Sequence, residues 1–207
     1  MSPASVKPRR PWAFGAVSTG LMVGHGLVTV ATAAFGLLVV VQFSVLRTDL
    51  TPWRSPLLAV VIIIPATHFV LMTLIMPLWS GLAARTQMGV SRLWAWLGYF
   101  IPLGGYWLPG QTLRALAAGT DADATQRRRL ILAWTVARGL AAPSAWLAAA
   151  VAISRTGLSS HDMGTAMVTY WLVTLFAANL LSLLVIAQMR HHLATGATDA
   201  RHAEVFS

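Results

Sequence analysis

Three polar side chains, Arg138, Asn179 and His68, sit inside otherwise apolar stretches of this chain and count to nearly one depth. Arg138 is nine residues past Arg129, which is about 13 Å along a helix. Asn179 is eleven residues before Arg190 and His68 eleven before Trp79, about 16 Å for each. An ionisable group that far inside hydrocarbon is costly and is a functional hypothesis by default. Brought together from three helices, the trio forms a candidate intramembrane polar cluster; Thr67 can add an oxygen, and Pro143 is expected to kink the third span just beyond. Two readings stand. In one, Arg138 is satisfied by carbonyls, Asn179 and water, and the cluster is a packing device. In the other, it is a site for a proton, an ion or a small ligand.

The remaining candidates for chemistry are weaker. His25 is a second imidazole in an apolar stretch, and two histidines on neighbouring helices can ligate one haem iron. Counted from a span starting at Gly20, however, His25 lies about 8 Å in, a level about 8 Å short of His68. No cofactor is expected. All six acidic residues (Asp49, Asp121, Asp123, Asp162, Asp199, Glu204) fall outside the apolar stretches. There is thus no intramembrane carboxylate pair, and neither an H-E-x-x-H nor a phosphate-cradling glycine loop occurs. Asp121 and Asp123 read as an N-cap and a first-turn partner of the helix dipole. His191 and His192 read as dipole partners at the end of the last helix. With no cysteine, disulfides, thiolate nucleophiles and cysteine metal sites are all absent. The expectation is a protein that is not an enzyme and holds no metal.

The elements that must position these residues follow from composition. With 57% hydrophobic residues, 10% charged residues and a mean hydropathy of +0.67, the chain lies far from soluble proteins, about a quarter of whose residues are charged. Four apolar stretches, 20–45, 56–79, 130–153 and 166–189, are each long enough for about 30 Å of hydrocarbon. Lipid offers backbone groups no partners, so the stretches should be helices. The fold class is an all-α integral membrane protein: a basic N-terminal segment 1–19, a membrane domain 20–193, and a polar tail 194–207 expected to be disordered. Lys7, Arg9 and Arg10 before an apolar run resemble a secretory signal, but the run continues to Val45, beyond the 7 to 15 residues typical of one. A retained first span is expected.

The stretch from Leu93 to Gln111 decides topology. Its apolar run is broken by Pro102, Gly104 and Gly105 and closed by Pro109. If it does not cross, one side collects Lys7, Arg9, Arg10, Arg85, Arg92, Arg114, Arg127, Arg128, Arg129, Arg190 and Arg201, and the other only Arg47, Arg54 and Arg155. If it crosses, the split becomes an uninformative six against eight. The positive-inside rule selects the first arrangement: four spans, both termini cytoplasmic, and a non-crossing segment 93–118 that is interfacial or re-entrant. The net charge of +9 then reports topology and attraction to anionic lipid headgroups, not nucleic acid. Arginine outnumbers lysine, which with the high alanine content suggests a GC-rich genome and a bacterial inner membrane. Trp12, Trp79, Trp94 and Trp134 should lie near the cytoplasmic interface, and Trp53, Tyr170 and Trp171 near the outer one. Pro109 suits the first residue of a short helix ending at Gly119. Gly20-x-x-x-Gly24 should allow close helix approach within the bundle.

The run Trp94-Ala95…Phe100-Ile101-Pro102-Leu103-Gly104…Trp107…Pro109…Gln111…Arg114 resembles the signature of the bacterial membrane family catalogued as domain of unknown function 4328. That signature reads W-A-x-x-W-W-F-x-P-x-A-N-L-W-x-P-Y-Q-x-x-x-E/R and is followed by two apolar helices. The resemblance extends from about Ala66 to Leu193 and includes a tryptophan early in the third helix, here Trp134. It implies a small multi-pass membrane protein and no assigned activity. This chain carries Gly105 and Gly110 where the family has asparagine and tyrosine, which removes two side chains on which binding there would rest. Its residues Trp94, Phe100, Pro102, Trp107, Pro109, Gln111 and Arg114 form a candidate interfacial docking segment. The expected function is a non-catalytic accessory or scaffold component that meets a membrane-protein partner or a second copy; the alternative is a small transporter or sensor using His68, Arg138 and Asn179. Single cysteines at Gly119 and Ser159, in a chain with none of its own, should react with an impermeant label from opposite sides of the membrane. Labelling of both from one side would overturn the four-span arrangement.

Overall fold

The computed structural model describes residues 11–41, 63–84, 92–101, 104–118, 123–153 and 161–205. Among them every regular element is a helix: α1 (Pro11–Val41), α2 (Ile63–Ala83), α3 (Arg92–Leu97), α4 (Gly104–Leu116), α5 (Ala124–Ile153) and α6 (His161–Val205). Three segments are long and apolar enough to cross a membrane, Phe14–Leu38, Ile63–Ala83 and Tyr170–Leu193. The expected third span falls within α5, which is 30 residues long. Neither α3, with 6 residues, nor α4, with 13, approaches the length of about 20 that a span needs.

The buried positions on α1 run Ser18, Leu21, His25, Val28, Thr32, Phe35, an alternation of three and four residues that makes one straight seam. Its opposite face is also apolar, with Val23, Leu27, Val30 and Leu37 exposed. A helix apolar on both faces belongs in lipid, where the exposed side needs no polar residues. α6 carries two seams side by side, Trp171, Leu175, Ala178, Ser182, Val185, Met189 and Leu172, Asn179, Ile186, Leu193. It therefore packs along both α1 and α5 and is the central helix. α2 holds a π-helical turn over Leu71–Ile75, in which the Met76 N–H donates to Leu71 O. Pro77 has no N–H and its ring would strike the carbonyl of Thr73; the wider turn just before it absorbs both defects.

Several expectations are corrected here. The first helix begins at Pro11, earlier than Gly20, because the residues from Trp12 onward are already apolar. Pro109 is not the first residue of its helix: α4 starts at Gly104, five residues earlier, and Gly104 and Gly105 lie within the helix and not in a turn. Pro109, buried inside α4, has no N–H to donate to Gly105 O, so that carbonyl lacks its usual helical partner. The stretch 194–205 continues α6 where a tail was expected, since it is alanine-rich and extending an existing helix avoids the cost of nucleation. His191 and His192 accordingly do not stand at a helix end. Of the GxxxG pair, only Gly24 serves close approach, with Leu71 Cδ2 2.9 Å from where its Cβ would stand, whereas nothing lies within 4 Å of Gly20.

Gly105 and Gly110 are contact points. A Cβ on Gly105 would stand 2.8 Å from Tyr99 O. One on Gly110 would collide with Thr135 Oγ1 and stand 3.2 Å from Thr135 Cγ2, so α4 lies against α5 backbone to side chain. Gly110→Ala should therefore lower stability in detergent by about 1–3 kcal/mol, the usual range for overpacking. Gly20→Ala, with open space around it, should be neutral or gain up to about 1 kcal/mol of helix propensity. Equal melting temperatures for the two variants would contradict the α4–α5 contact.

Candidate functional site

The seam of α1 carries His25 toward α6, and His68 on α2 reaches the same place from the other side. Asn179, fully buried on α6, meets both. Its Nδ2 lies 2.8 Å from Leu175 O, which can only accept, so the amide orientation is set and Oδ1 faces the imidazoles. Oδ1 is 2.8 Å from His25 Nδ1 and 3.0 Å from His68 Nδ1. An oxygen can only accept, so both rings carry a proton on Nδ1, and in the neutral form each leaves a lone pair on Nε2. Nε2 of His25 has no hydrogen-bond partner among the described residues. The rings are 6.3 Å apart between centroids and nearly perpendicular at 70°. Because both turn the same nitrogen onto one oxygen, they do not oppose each other across a gap that a planar macrocycle would fill.

The cluster foreseen from depth counting is thus partly assembled. His68 and Asn179 meet, and His25 joins them. The mismatch in level expected for His25 disappears because the apolar part of α1 starts at Phe14; eleven residues on, His25 is about 16 Å along the helix, level with the other two. The repeating three-and-four spacing from Ser18 to Phe35 was the sequence signal that would have found it. Thr67 stays outside the cluster, exposed and donating back to Ile63 O at 2.8 Å.

Arg138 is buried, but its guanidinium lies over aromatic rings: 4.9 Å from the centroid of Tyr99 and 5.6 Å from that of Trp134. It is close enough for its charge to act on His68. Burial pushes the Tyr99 phenol up to about 12 against the opposing pull of Arg138, so the ring under the guanidinium stays neutral. A cation over a desolvated aromatic face contributes up to about 2 kcal/mol. Tyr99 follows α3, so Arg138 ties the 93–111 segment to α5. Ser80 Oγ adds a second tie, donating to Ala95 O at 2.7 Å. Arg127, buried in the first turn of α5, donates from Nη2 to Ala117 O at 3.4 Å, where a cation suits the C-terminal end of α4. Asp123 accepts the Arg127 N–H through its backbone carbonyl at 2.9 Å, the position of an N-cap; Asp121 lies outside the described residues.

On its other side the segment is open. Trp94 is 57% and Trp107 48% exposed, and Trp96 and Phe100 are exposed with ring centroids 5.3 Å apart. Arg114 stands over the Trp107 ring at 5.5 Å, and Gln111 is exposed beside them. Pro109 faces inward, and Pro102 lies outside the described residues. The interfacial placement expected of Trp79, Trp134 and Trp171 is corrected: all three are buried. Two have hydrogen-bond partners within the bundle. Trp79 Nε1 donates to Ser18 Oγ and Trp134 Nε1 to Ser182 Oγ, each at 2.8 Å, and each serine passes its own proton to the carbonyl four residues back. A buried indole needs such a partner, and a serine on the facing helix supplies it. Trp171 packs its edge against Phe35. Exposed Tyr170 donates to Leu140 O at 3.2 Å.

Comparison with family models, with curated proteins and with solved structures finds no match to this chain.

The tautomer assignment is directly measurable. In ¹⁵N spectra of histidine-labelled protein, His25 and His68 should both show a protonated Nδ1 and a bare Nε2, and both signals should change in Asn179→Leu. An Nε2–H form of either ring in the unaltered protein would overturn the assignment. Asn179→Leu leaves two buried donors unpaired and should cost about 1–3 kcal/mol or more in unfolding free energy.

Proposed function

We propose that this chain is a non-catalytic accessory or scaffold component of a bacterial inner membrane, with four spans, both termini cytoplasmic, and the 93–118 segment lying uncrossed on the basic face. There it docks a membrane-protein partner, a second copy of the chain included, against a background of anionic headgroups. No nucleic-acid role is proposed. On this reading the chain is a divergent relative of the domain of unknown function 4328 family. Support for the topology comes from the charge count and from the shortness of α3 and α4. The observation that carries the docking role is an aromatic edge held from behind. Trp94, Trp96, Phe100 and Trp107 point outward from a segment whose inward residues Ala95, Tyr99 and Leu113 are buried and whose backbone is fastened to α2 and α5. Rigid, amphipathic rings with an arginine beside them are what interface hot spots use.

A photo-crosslinking residue at Trp107 should give discrete protein adducts in intact cells, lost on Arg114→Glu, while the same residue at exposed, lipid-facing Val173 should give none. Adducts to lipid alone at Trp107 would overturn the docking role.

A second reading, a small transporter or sensor, rests on the bare His25 Nε2 within the His25–His68–Asn179 cluster. It requires ion or proton flux in proteoliposomes that His25→Phe abolishes; a tightly sealed vesicle would dispose of it.

A further inference from the structure

At the start of α5, Gln126, Arg129, Leu130 and Ala133 stand at spacings of three and four and so form one stripe. Leu184, Ala187 and Gln188 form the matching stripe on α6. The two helices are antiparallel, since Trp134 meets Ser182 and Leu140 meets Tyr170. The polar ends of the stripes therefore coincide, as do the apolar ends. Between them lies a groove of about 580 Å³, cationic and amide-lined at one end and apolar toward the middle of the membrane domain. Gln188, half-buried, lines the polar end, and its Oε1 has no hydrogen-bond partner among the described residues. A buried carbonyl oxygen without a donor is costly, so an occupant that supplies one is favoured.

We infer that this groove binds one anionic glycerophospholipid whose headgroup carries hydroxyl groups. The phosphate pairs with the Arg129 guanidinium, a headgroup hydroxyl donates to Gln188 Oε1, and an acyl chain lies along Leu130, Ala133 and Leu184. Each part of the groove meets the part of the lipid at its own depth: charge at the headgroups, methylenes below. The inference rests on the proposed placement of the basic helix ends at headgroup level; it is independent of what docks on Trp107.

The test uses native mass spectrometry of the full chain in mild detergent with phosphatidylglycerol or phosphatidylcholine added. The unaltered protein should retain one phosphatidylglycerol at least fivefold more than phosphatidylcholine, which has a phosphate but no hydroxyl donor. Arg129→Gln should reduce that retention about fivefold or more, and Leu184→Trp, which fills the apolar end, should do the same without changing charge. Gln188→Leu should narrow the preference for phosphatidylglycerol. Arg128→Gln removes the same charge beside the groove without lining it and should leave retention unchanged. Equal retention of the two lipids would overturn the site, and so would equal losses in Arg128→Gln and Arg129→Gln, which report general charge attraction. Because crosslinks at Trp107 and cysteine labelling report docking and topology separately, loss of lipid selectivity with those results intact refutes the groove alone.

Discussion

A carboxamide buried among apolar helices has nothing to bond except the protein itself, and the arrangement of α1, α2 and α6 follows from how Asn179 meets that constraint. Its NH₂ is spent on its own helix, at Leu175 O, and its oxygen is spent on two others, through His25 and His68. Where helices and lipid are equally oily, hydrophobic burial gives little preference for one partner over another, and directional polar contacts and close packing select the arrangement. The Trp79–Ser18 and Trp134–Ser182 bonds apply the same logic between α2 and α1 and between α5 and α6. With the Asn179 bonds they join α6 directly to α1, α2 and α5.

Against this frame the 93–111 segment is an attached part with two different sides. Its inner side is defined by absence of bulk at Gly105 and Gly110, and by Arg138 facing Tyr99. Its outer side is defined by large rings. With no side chain at Gly105 or Gly110, α4 seats closely against Tyr99 and Thr135. Arg138 contributes to the same seating, its guanidinium lying over Tyr99 and Trp134.

The helical character of the described residues, three of the four expected membrane-compatible stretches and the pairing of His68 with Asn179 were legible in the sequence, because they depend on apolar run length and on depth counted at 1.5 Å per residue. Depth counting fails where the starting point is wrong: taking α1 from Gly20 moved His25 out of a cluster to which it belongs. It also says nothing about direction around a helix. For that reason neither the turn of Arg138 over Tyr99 nor the inward direction of Trp79, Trp134 and Trp171 is readable from depth. The reading of Pro109 as a helix start failed because the helix already begins at Gly104, and two adjacent glycines read in the sequence as a turn.

The π-helical turn in α2 separates the two contacts that orient that helix, His68 to Asn179 on one side of it and Trp79 to Ser18 on the other. Shortening an α-helix by one residue rotates everything beyond the deletion by about 100°. Residues 71–75 therefore act as a phase adjuster: their number, more than their identity, keeps an imidazole and an indole facing the same neighbours. A one-residue change in length here would turn one of the two anchors out toward lipid.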